Sequence, residues 1–263
     1  QLEQQFSRLE KFAPTLIIGP PFVLCQLGAA KSSGRLMITP VGLLSVAETL
    51  APEDQSQIES DFGLPLDQAY IATEGFIAAT CHRGSLHINE DMLVVQRQWL
   101  DRDSNRFVPI ITDFRRRVQP VIRYRLDDVL VASDTTCDCG SHFAILQTIE
   151  GRCDDVLILR SIHDKSHYRI FPDYIRQAIC VLNAGIRDYQ VRQDSPDCLF
   201  VQIDTDESNL SSAAEATRRS LIATFHRLEC IAPSIHFEKF VPRNHRTKMR
   251  RVVRNFDADL GPH

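Results

Sequence analysis

Apolar and polar residues follow different rhythms along this chain, and the changes in rhythm divide it into parts. In the first part, short apolar runs at 16–19 and 36–39 predict buried strands, while 22–30 and 52–62 have the apolar spacing typical of helices. Gly63 follows the second helix and suits its C-terminal cap. Strands and helices that alternate in this way predict an α/β fold.

After residue 86 the apolar runs are separated by polar turns, which predicts a β-rich subdomain. From Pro172 onward, two amphipathic helices and a pair of strands predict a compact α+β unit. The predicted fold class is therefore α/β and α+β. We place the boundary near 152–155, so that residues 1–153 are the end of a large domain and residues 154–263 are a small mobile domain.

The composition, with 43% hydrophobic and 24% charged residues, is that of a soluble globular protein. A net charge of −4 argues against a nucleic-acid partner, and no apolar run reaches the ~20 residues of a membrane span. The eight cysteines are not arranged as a secreted disulfide scaffold, which favours a reduced, cytoplasmic protein. No signal-peptide pattern is visible, and because the chain starts at Gln1 and not at Met we expect a fragment or a processed form.

Two polar patches carry groups that suit a nucleotide. Tyr70, Thr73 and Glu74 place an aromatic ring, a hydroxyl and a carboxylate within five residues, and these can stack on a base, donate to a phosphate and hold Mg²⁺. Asp128 lies beside an apolar run, where a carboxylate can accept hydrogen bonds from ribose hydroxyls. Taken singly, each patch is more typical of an ordinary strand end or surface turn.

Two later patches are also open to more than one interpretation. At 151–155, a glycine, Arg152 and two carboxylates suit a phosphate contact and a hinge, with an ordinary polar turn as the alternative. Residues 242–251 are strongly basic, and a solvated charge run is the commoner interpretation of such a tail, with an anion-binding patch as the alternative.

Four residues have the chemistry of a zinc site. They form two short-range pairs about 50 residues apart, and they are Cys81, His87, Cys137 and Cys139, with His82 as a substitute ligand. The spacing is compatible with one tetrahedral site but does not require it. Buried or reactive free thiols are the alternative.

In their order, these patches resemble the adenylate-forming superfamily, and within it the phenylacetate–CoA ligase-like branch. The resemblance extends over residues 16–256 and is to the C-terminal part of such an enzyme, so we expect the phosphate-loop half to lie outside this chain. The matching motifs are Tyr-x-x-Thr-Glu at 70–74, Ile-Arg-Tyr-Arg at 122–125, Cys-x-Cys-Gly at 137–140, Gly-Arg-x-Asp-Asp at 151–155, and Lys248.

The resemblance implies a role for each matched residue. The nucleotide contacts would be Ala47, Glu48, Tyr70, Thr73, Asp128 and Arg152. Among them, Ala47 and Glu48 match the family's adenine contact, Tyr70 would stack on adenine, and Thr73 would contact the α-phosphate. Asp128 would bind the ribose.

Three further residues would complete the machinery. Glu74 would hold Mg²⁺, Asp154 would be the hinge between the domains, and Lys248 would be the catalytic lysine. The zinc site seen in some members of the branch would match Cys81, His87, Cys137 and Cys139.

The implied reaction is ATP-dependent activation of a carboxylic acid, with aromatic acids among the candidates, to an acyl-adenylate and pyrophosphate. CoA or another nucleophile would then accept the acyl group, and AMP would be released. The alternative is a non-catalytic, zinc-stabilised remnant that acts as a binding or structural module. The expected partner is a small-molecule acid, and a homodimer is left open.

The sequence departs from the family pattern in four places. It has no Gly/Ser/Thr-rich phosphate loop, and Ile71 stands where the family has a glycine after the tyrosine. Asp127 replaces the glycine before the ribose-binding aspartate, and 160–169 lack the glycines at which relatives let pantetheine approach. The β- and γ-phosphates are therefore left without an evident binding loop.

Overall fold

The structure is a computed structural model that describes residues 2–180, 182, 185–241 and 250–256. The chain divides into two compact units, Gln1–Ile149 and Glu150–His263, called the first and second unit below. The assignment of residues 1–153 and 154–263 to two ligase domains stays a prediction. Among the described residues, no helix combines the length and apolarity that a bilayer crossing requires.

The first unit begins with three parallel strands and three helices. The elements are α1 (Leu2–Phe12), β1 (Leu16–Gly19), α2 (Pro21–Ser32), β2 (Gly42–Ser45), α3 (Pro52–Phe62) and β3 (Leu66–Ala72). Helices α2 and α3 each have a proline in the first turn, where the missing N–H costs nothing. As predicted, Gly63 ends α3 in the left-handed conformation, with a φ of 70°.

One predicted strand in this region is wrong. Leu36 and Ile38 are buried and Met37 is exposed, so the segment has the alternation of a strand. No described strand pairs with it, however, and the sheet instead uses β2, where Leu43 is the buried apolar residue between β1 and β3. Side-chain alternation therefore located the apolar residues but not the segment that pairs.

The sheet continues as an antiparallel, β-rich region, as predicted. Its strands are β4 (Gly75–Thr80), β5 (Leu86–Ile88), β6 (Leu93–Asp101), β7 (Arg106–Asp113), β8 (Tyr124–Arg125), β9 (Asp128–Ala132) and β10 (Ile145–Arg152). The strand order is β1-β2-β3-β4-β5-β10-β9-β7-β6, with β8 beside β7. A separate core that includes Ile77, Phe107 and Leu130 fills this region.

The second unit is α+β, also as predicted. A 3₁₀ turn at Cys153–Asp155 opens it. The elements that follow are β11 (Leu157–Ser161), β12 (His167–Ile170), α4 (Pro172–Cys180), β13 (Asp188–Ser195), β14 (Cys198–Asp204), α5 (Leu210–Arg227), β15 (Cys230–Ile231), β16 (Ser234–Glu238) and β17 (Val252–Arg254). They form the sheets β12-β11-β15 and β16-β14-β13-β17 around one core.

Candidate functional site

Tyr70 and Asp128, which sequence reasoning assigned to one nucleotide site, are in contact. The Tyr70 hydroxyl donates a hydrogen bond to Oδ2 of Asp128, across 58 residues of chain. Strands β3 and β9 are separated by three others in the sheet order, which would be roughly 19 Å on a flat sheet at ~4.8 Å per strand. The sheet must therefore curve for the side chains to meet, as twisted sheets do.

The environment of Tyr70 keeps its hydroxyl protonated. Burial is the largest cause that raises the pKa of Tyr70 far above its ordinary value, followed by the charge and hydrogen bond of Asp128 and by the charge of Glu74. The phenol is therefore a permanent donor and Asp128 its acceptor. Only 8% of Tyr70 is exposed, so its ring is largely packed in the β-rich core.

Thr73 and Glu74 form the turn of a tight hairpin between β3 and β4, where Ala72 pairs with Gly75. Ile71, which replaces the family's glycine, lies in ordinary strand conformation beside a β-bulge, and 54% of it is exposed. The glycine is dispensable here because the bulge turns the chain without a positive φ.

Ala47 and Glu48 follow the end of β2 in a strained turn. The Glu48 N–H donates to the Val46 carbonyl at 2.9 Å, and Ala47 between them has a φ of 70°, a rare conformation for alanine. Ser45 lies opposite Gln68 in parallel register, so Ala47 and Tyr70 each follow that pair by two residues. Both therefore lie toward the carboxyl edge of the parallel strands, where α/β sheets bind ligands.

Arg116 was missed by sequence reasoning and lies at the Thr73–Glu74 hairpin. Its Nη2 donates to the Thr73 carbonyl oxygen at 2.5 Å. The only signal in the sequence was a run of three arginines at 115–117 after Asp113, which matched no motif.

The four predicted zinc ligands converge. All four ligand atoms of Cys81, His87, Cys137 and Cys139 lie within 4.8 Å of one another. The Sγ atoms of Cys81 and Cys137 are 3.7 Å apart, and Cys139 Sγ is 3.5 Å from His87 Nε2. A tetrahedral site with Zn–S bonds of 2.3 Å has edges of about 3.8 Å. His82 is exposed and outside the cluster.

Two turns aim backbone N–H groups at the sulfur atoms. The Arg83 N–H donates to Cys81 Sγ at 3.4 Å, and the Ser141 N–H donates to Cys139 Sγ at 3.4 Å. Each turn contains a glycine at positive φ, Gly84 at 83° and Gly140 at 84°, a conformation that favours glycine. Donors aimed at sulfur stabilise thiolates, which are the form that binds metal.

The histidine of the cluster has a fixed tautomer. His87 Nδ1 lies 2.9 Å from the carbonyl oxygen of Phe143, which can only accept, so Nδ1 carries the hydrogen and Nε2 faces the sulfurs with its lone pair. Burial alone would lower the pKa of His87, but hydrogen bonds with Cys137, Phe143 and Cys81 raise it on balance. This arrangement is that of a metal-ligating histidine with an orienting partner.

The pKa values of the Cys137 and Cys139 thiols are shifted in opposite directions. Hydrogen bonds from the Ser85 side chain and from His87 lower the pKa of Cys137 to about 6. The Ser141 N–H would lower the pKa of Cys139, but burial and the neighbouring thiols raise it on balance. The donor set of three thiols and one imidazole fits Zn²⁺, and Cys137 is the thiol that ionises most readily.

In the second unit, Asp155 rather than Arg152 is the centre of the Gly-Arg-x-Asp-Asp motif. The Asp155 residue is buried, and its carboxylate accepts the Arg152 N–H at 2.9 Å and the Nε–H of Arg250 at 2.7 Å. Gly151 has a φ of 133°, and a Cβ there would lie 2.9 Å from Asp155 Oδ2. The glycine is thus required by the close approach of the carboxylate as well as by its backbone angle.

Other predicted residues are placed less fully. The Arg152 side chain is exposed, Asp154 lies in the 3₁₀ turn, and Asp127 forms a surface ion pair with Arg125 at 3.1 Å. Lys248 lies outside the described residues. The structure therefore brings together Tyr70 with Asp128, and the four metal ligands with one another.

Comparison with known proteins gives a clear result for the fold alone. No protein-family model and no curated protein matches the sequence. Among solved structures, 2-hydroxyisobutyryl-CoA ligase in the postadenylation state matches with a TM-score of 0.72 at 18% identity, over 96% of this chain and 57% of that one.

Two further structures agree. Fatty acyl-adenylate ligases from E. coli and L. pneumophila match with a TM-score of 0.63 at 12% identity, over 95% of this chain and 53% of that chain. The amide bond synthetase McbA from Marinactinospora thermotolerans matches with a TM-score of 0.61 at 14% identity, over 92% of this chain and 51% of that chain. The chain thus has the fold of adenylate-forming ligases, as the resemblance predicted, and spans just over half the length of these relatives.

Proposed function

We propose that this chain is the part of an adenylate-forming ligase that binds the nucleotide and carries the catalytic lysine. The observation that carries the proposal is the contact between Tyr70 and Asp128, with the charge of Glu74 nearby, in a chain with this fold. The reaction would join a carboxylic acid to the α-phosphate of ATP and release pyrophosphate.

Each residue's part follows from its chemistry. Asp128 accepts hydrogen bonds from the ribose hydroxyls through the oxygen atoms that Tyr70 orients. Thr73, exposed at the hairpin, donates its hydroxyl to the α-phosphate, and Lys248 neutralises charge that grows on the phosphate oxygens. No general base is needed because the attacking carboxylate is already an anion.

Glu74 would hold Mg²⁺, which supplies charge stabilisation at the phosphates. The four residues Cys81, His87, Cys137 and Cys139 would hold Zn²⁺ in a structural role, since all four positions of a tetrahedral site are filled by protein. CoA is the proposed acceptor in a second step, on the model of the CoA ligase relative. A cytoplasmic location follows from the same proposal.

The test is acid-dependent exchange of labelled pyrophosphate into ATP, measured on the natural full-length protein with a broad panel of carboxylic acids. We expect exchange with at least one acid, its loss in Lys248→Ala, and a raised KM for ATP in Asp128→Ala. Asp127→Ala is the matched control, since its side chain is 59% exposed and forms only a surface ion pair with Arg125 among the contacts described above.

The second candidate is a zinc-stabilised remnant without turnover. The departure at Asp127, the absence of glycines from 160–169 and the fit of the four ligands to zinc favour it. Stoichiometric zinc together with no exchange for any acid in the panel would establish this candidate and refute the ligase.

A further inference from the structure

Arg116 brings a guanidinium group to the hairpin that presents Thr73 and Glu74. Its Nη2 donates to the Thr73 carbonyl at 2.5 Å, although 43 residues separate the two in sequence. The contact is with a main-chain atom at the tip of the hairpin, so the cation lies beside the residues proposed to meet the α-phosphate and Mg²⁺.

The position of Arg116 is built by the backbone around it. Oδ1 of Asp113 accepts the N–H groups of Arg115 at 2.7 Å and of Arg116 at 3.1 Å, which folds the chain into a tight turn. The other carboxylate oxygen lies against Gly75, where a Cβ would approach it to 3.3 Å. The turn is therefore packed on the first residue of β4.

The first two residues of this turn are tied to neighbouring segments. The Asp113 N–H donates to the Val121 carbonyl at 3.0 Å, and the Phe114 N–H donates to the Met92 carbonyl at 3.1 Å. A side chain that projects from such a turn has a defined starting point, unlike an arginine on a free loop.

The chemistry of the group fits a phosphate chain. Guanidinium has five N–H donors in a planar fork, and the Thr73 carbonyl takes one of them. Bidentate binding of phosphate is what this fork does better than any other side chain. A site that carries Tyr70, Glu74 and Asp128 also needs cations before it can accept a nucleotide with about four negative charges.

We propose that Arg116 binds the β- and γ-phosphates of ATP, and hence the pyrophosphate that leaves. This inference rests on the proposed function and deepens it, because it assigns the phosphate chain of ATP to a cation that lies at the Thr73–Glu74 hairpin. The competing role is mechanical: Arg116 would only brace the hairpin through Thr73.

The test is calorimetric binding of AMP, of Mg²⁺-ATP and of pyrophosphate to the natural full-length protein. Arg116→Ala weakens ATP and pyrophosphate binding by about 10- to 100-fold and AMP binding by less than about threefold, because AMP lacks the phosphates concerned. Arg116→Lys, which keeps the charge but not the fork, gives an intermediate loss. Arg115→Ala, at an exposed position in the same turn, leaves all three affinities unchanged.

Equal loss of ATP and AMP affinity in Arg116→Ala, together with a lowered melting temperature, would show a brace and overturn the inference. Unchanged ATP affinity would overturn it as well, while leaving the proposed function intact. If the unaltered protein bound neither AMP nor ATP, the proposed function itself would fall and the inference with it.

Discussion

The first unit gathers four ligand atoms of three cysteines and a histidine within 4.8 Å, whereas the second unit gathers donors around one buried carboxylate, that of Asp155. Each thiol that ionises adds negative charge to the cluster, and the protein supplies N–H groups and one imidazole to it. Asp155 is instead met by a full positive charge from Arg250 within the chain. The comparison predicts that an external cation completes the first cluster, whereas the second has its cation within the chain.

The difference has a consequence for how each unit fails. A site completed by a metal gains its binding free energy as folding free energy and loses it to a chelator. A buried ion pair cannot be chelated, but removing one partner leaves a charge buried without compensation. The predictions below test this contrast, beginning with the largest effect.

The largest effect is expected from the metal centre. Removal of zinc by a strong chelator, or Cys137→Ser, lowers the unfolding free energy of the first unit by more than about 5 kcal/mol. The measurement is thermal unfolding followed by the fluorescence of Trp99, which is the one tryptophan of the chain and lies in β6 of the first unit.

Cys198→Ser, at a partly buried position in the second unit, is the control and keeps the metal. Elemental analysis that finds well under one zinc per chain in protein purified without chelator would refute the metal centre. An unfolding curve indifferent to the chelator would remove the contrast between the units.

Asp155→Asn is expected to have the next largest effect. The amide keeps an acceptor for the Arg152 N–H but leaves the Arg250 guanidinium beside a neutral group. We expect the unfolding free energy of the second unit to fall by about 3–5 kcal/mol. Hydrogen exchange of the backbone amides in β11 and β17 of the second unit measures this loss of stability. The unfolding transition followed by the fluorescence of Trp99 should not change.

The matched variant is Asp188→Asn, which removes the ion pair with Arg251 at 3.1 Å on the same terminal segment. The Asp188 side chain is 25% exposed against 9% for Asp155, so solvent screens the charge and the loss should be about 1 kcal/mol. Equal losses for the two variants would show that burial is not what makes Asp155 important.

Tyr70→Phe probes the carboxylate of the first unit. Loss of the hydroxyl donor to Asp128 should lower the unfolding free energy by about 1–3 kcal/mol at neutral pH. The pKa of Tyr70 is raised in the folded protein, so its contribution is complete below the ordinary value of 10.0 and is lost as the pH rises above it. Urea midpoints of the two proteins should therefore converge in alkali, and a constant difference would contradict this.

Glu238→Gln should have the smallest effect, because its ion pair with Arg192 at 3.2 Å is partly exposed. Hydrogen bonds from Arg192 and Gln202 lower the pKa of Glu238 below 4.5, so its contribution is present above that value and is lost as the pH falls through the folded pKa. The unfolding free energies from denaturant titration should differ by a few tenths of a kcal/mol at neutral pH and coincide in acid. A difference that persists in acid would point to packing.

The sequence by itself determined the features that depend on neighbours along the chain. Helix α3 has its proline at the start and its left-handed Gly63 at the end, as local chemistry dictates. Residue type and short-range pairing predicted that Cys81, His87, Cys137 and Cys139 could share one metal site, and the structure brings their ligand atoms together. The order of the motifs was enough to predict the fold that the solved structures confirm.

The tertiary structure alone decided which distant segments meet. Residues 36–39 have the alternation of a strand, yet β2 takes the place between β1 and β3, because pairing depends on a partner and not on local pattern. The contacts of Tyr70 with Asp128, of Arg116 with Thr73 and of Arg250 with Asp155 span 58, 43 and 95 residues. Such contacts follow from sheet curvature and turn geometry, which no local periodicity encodes.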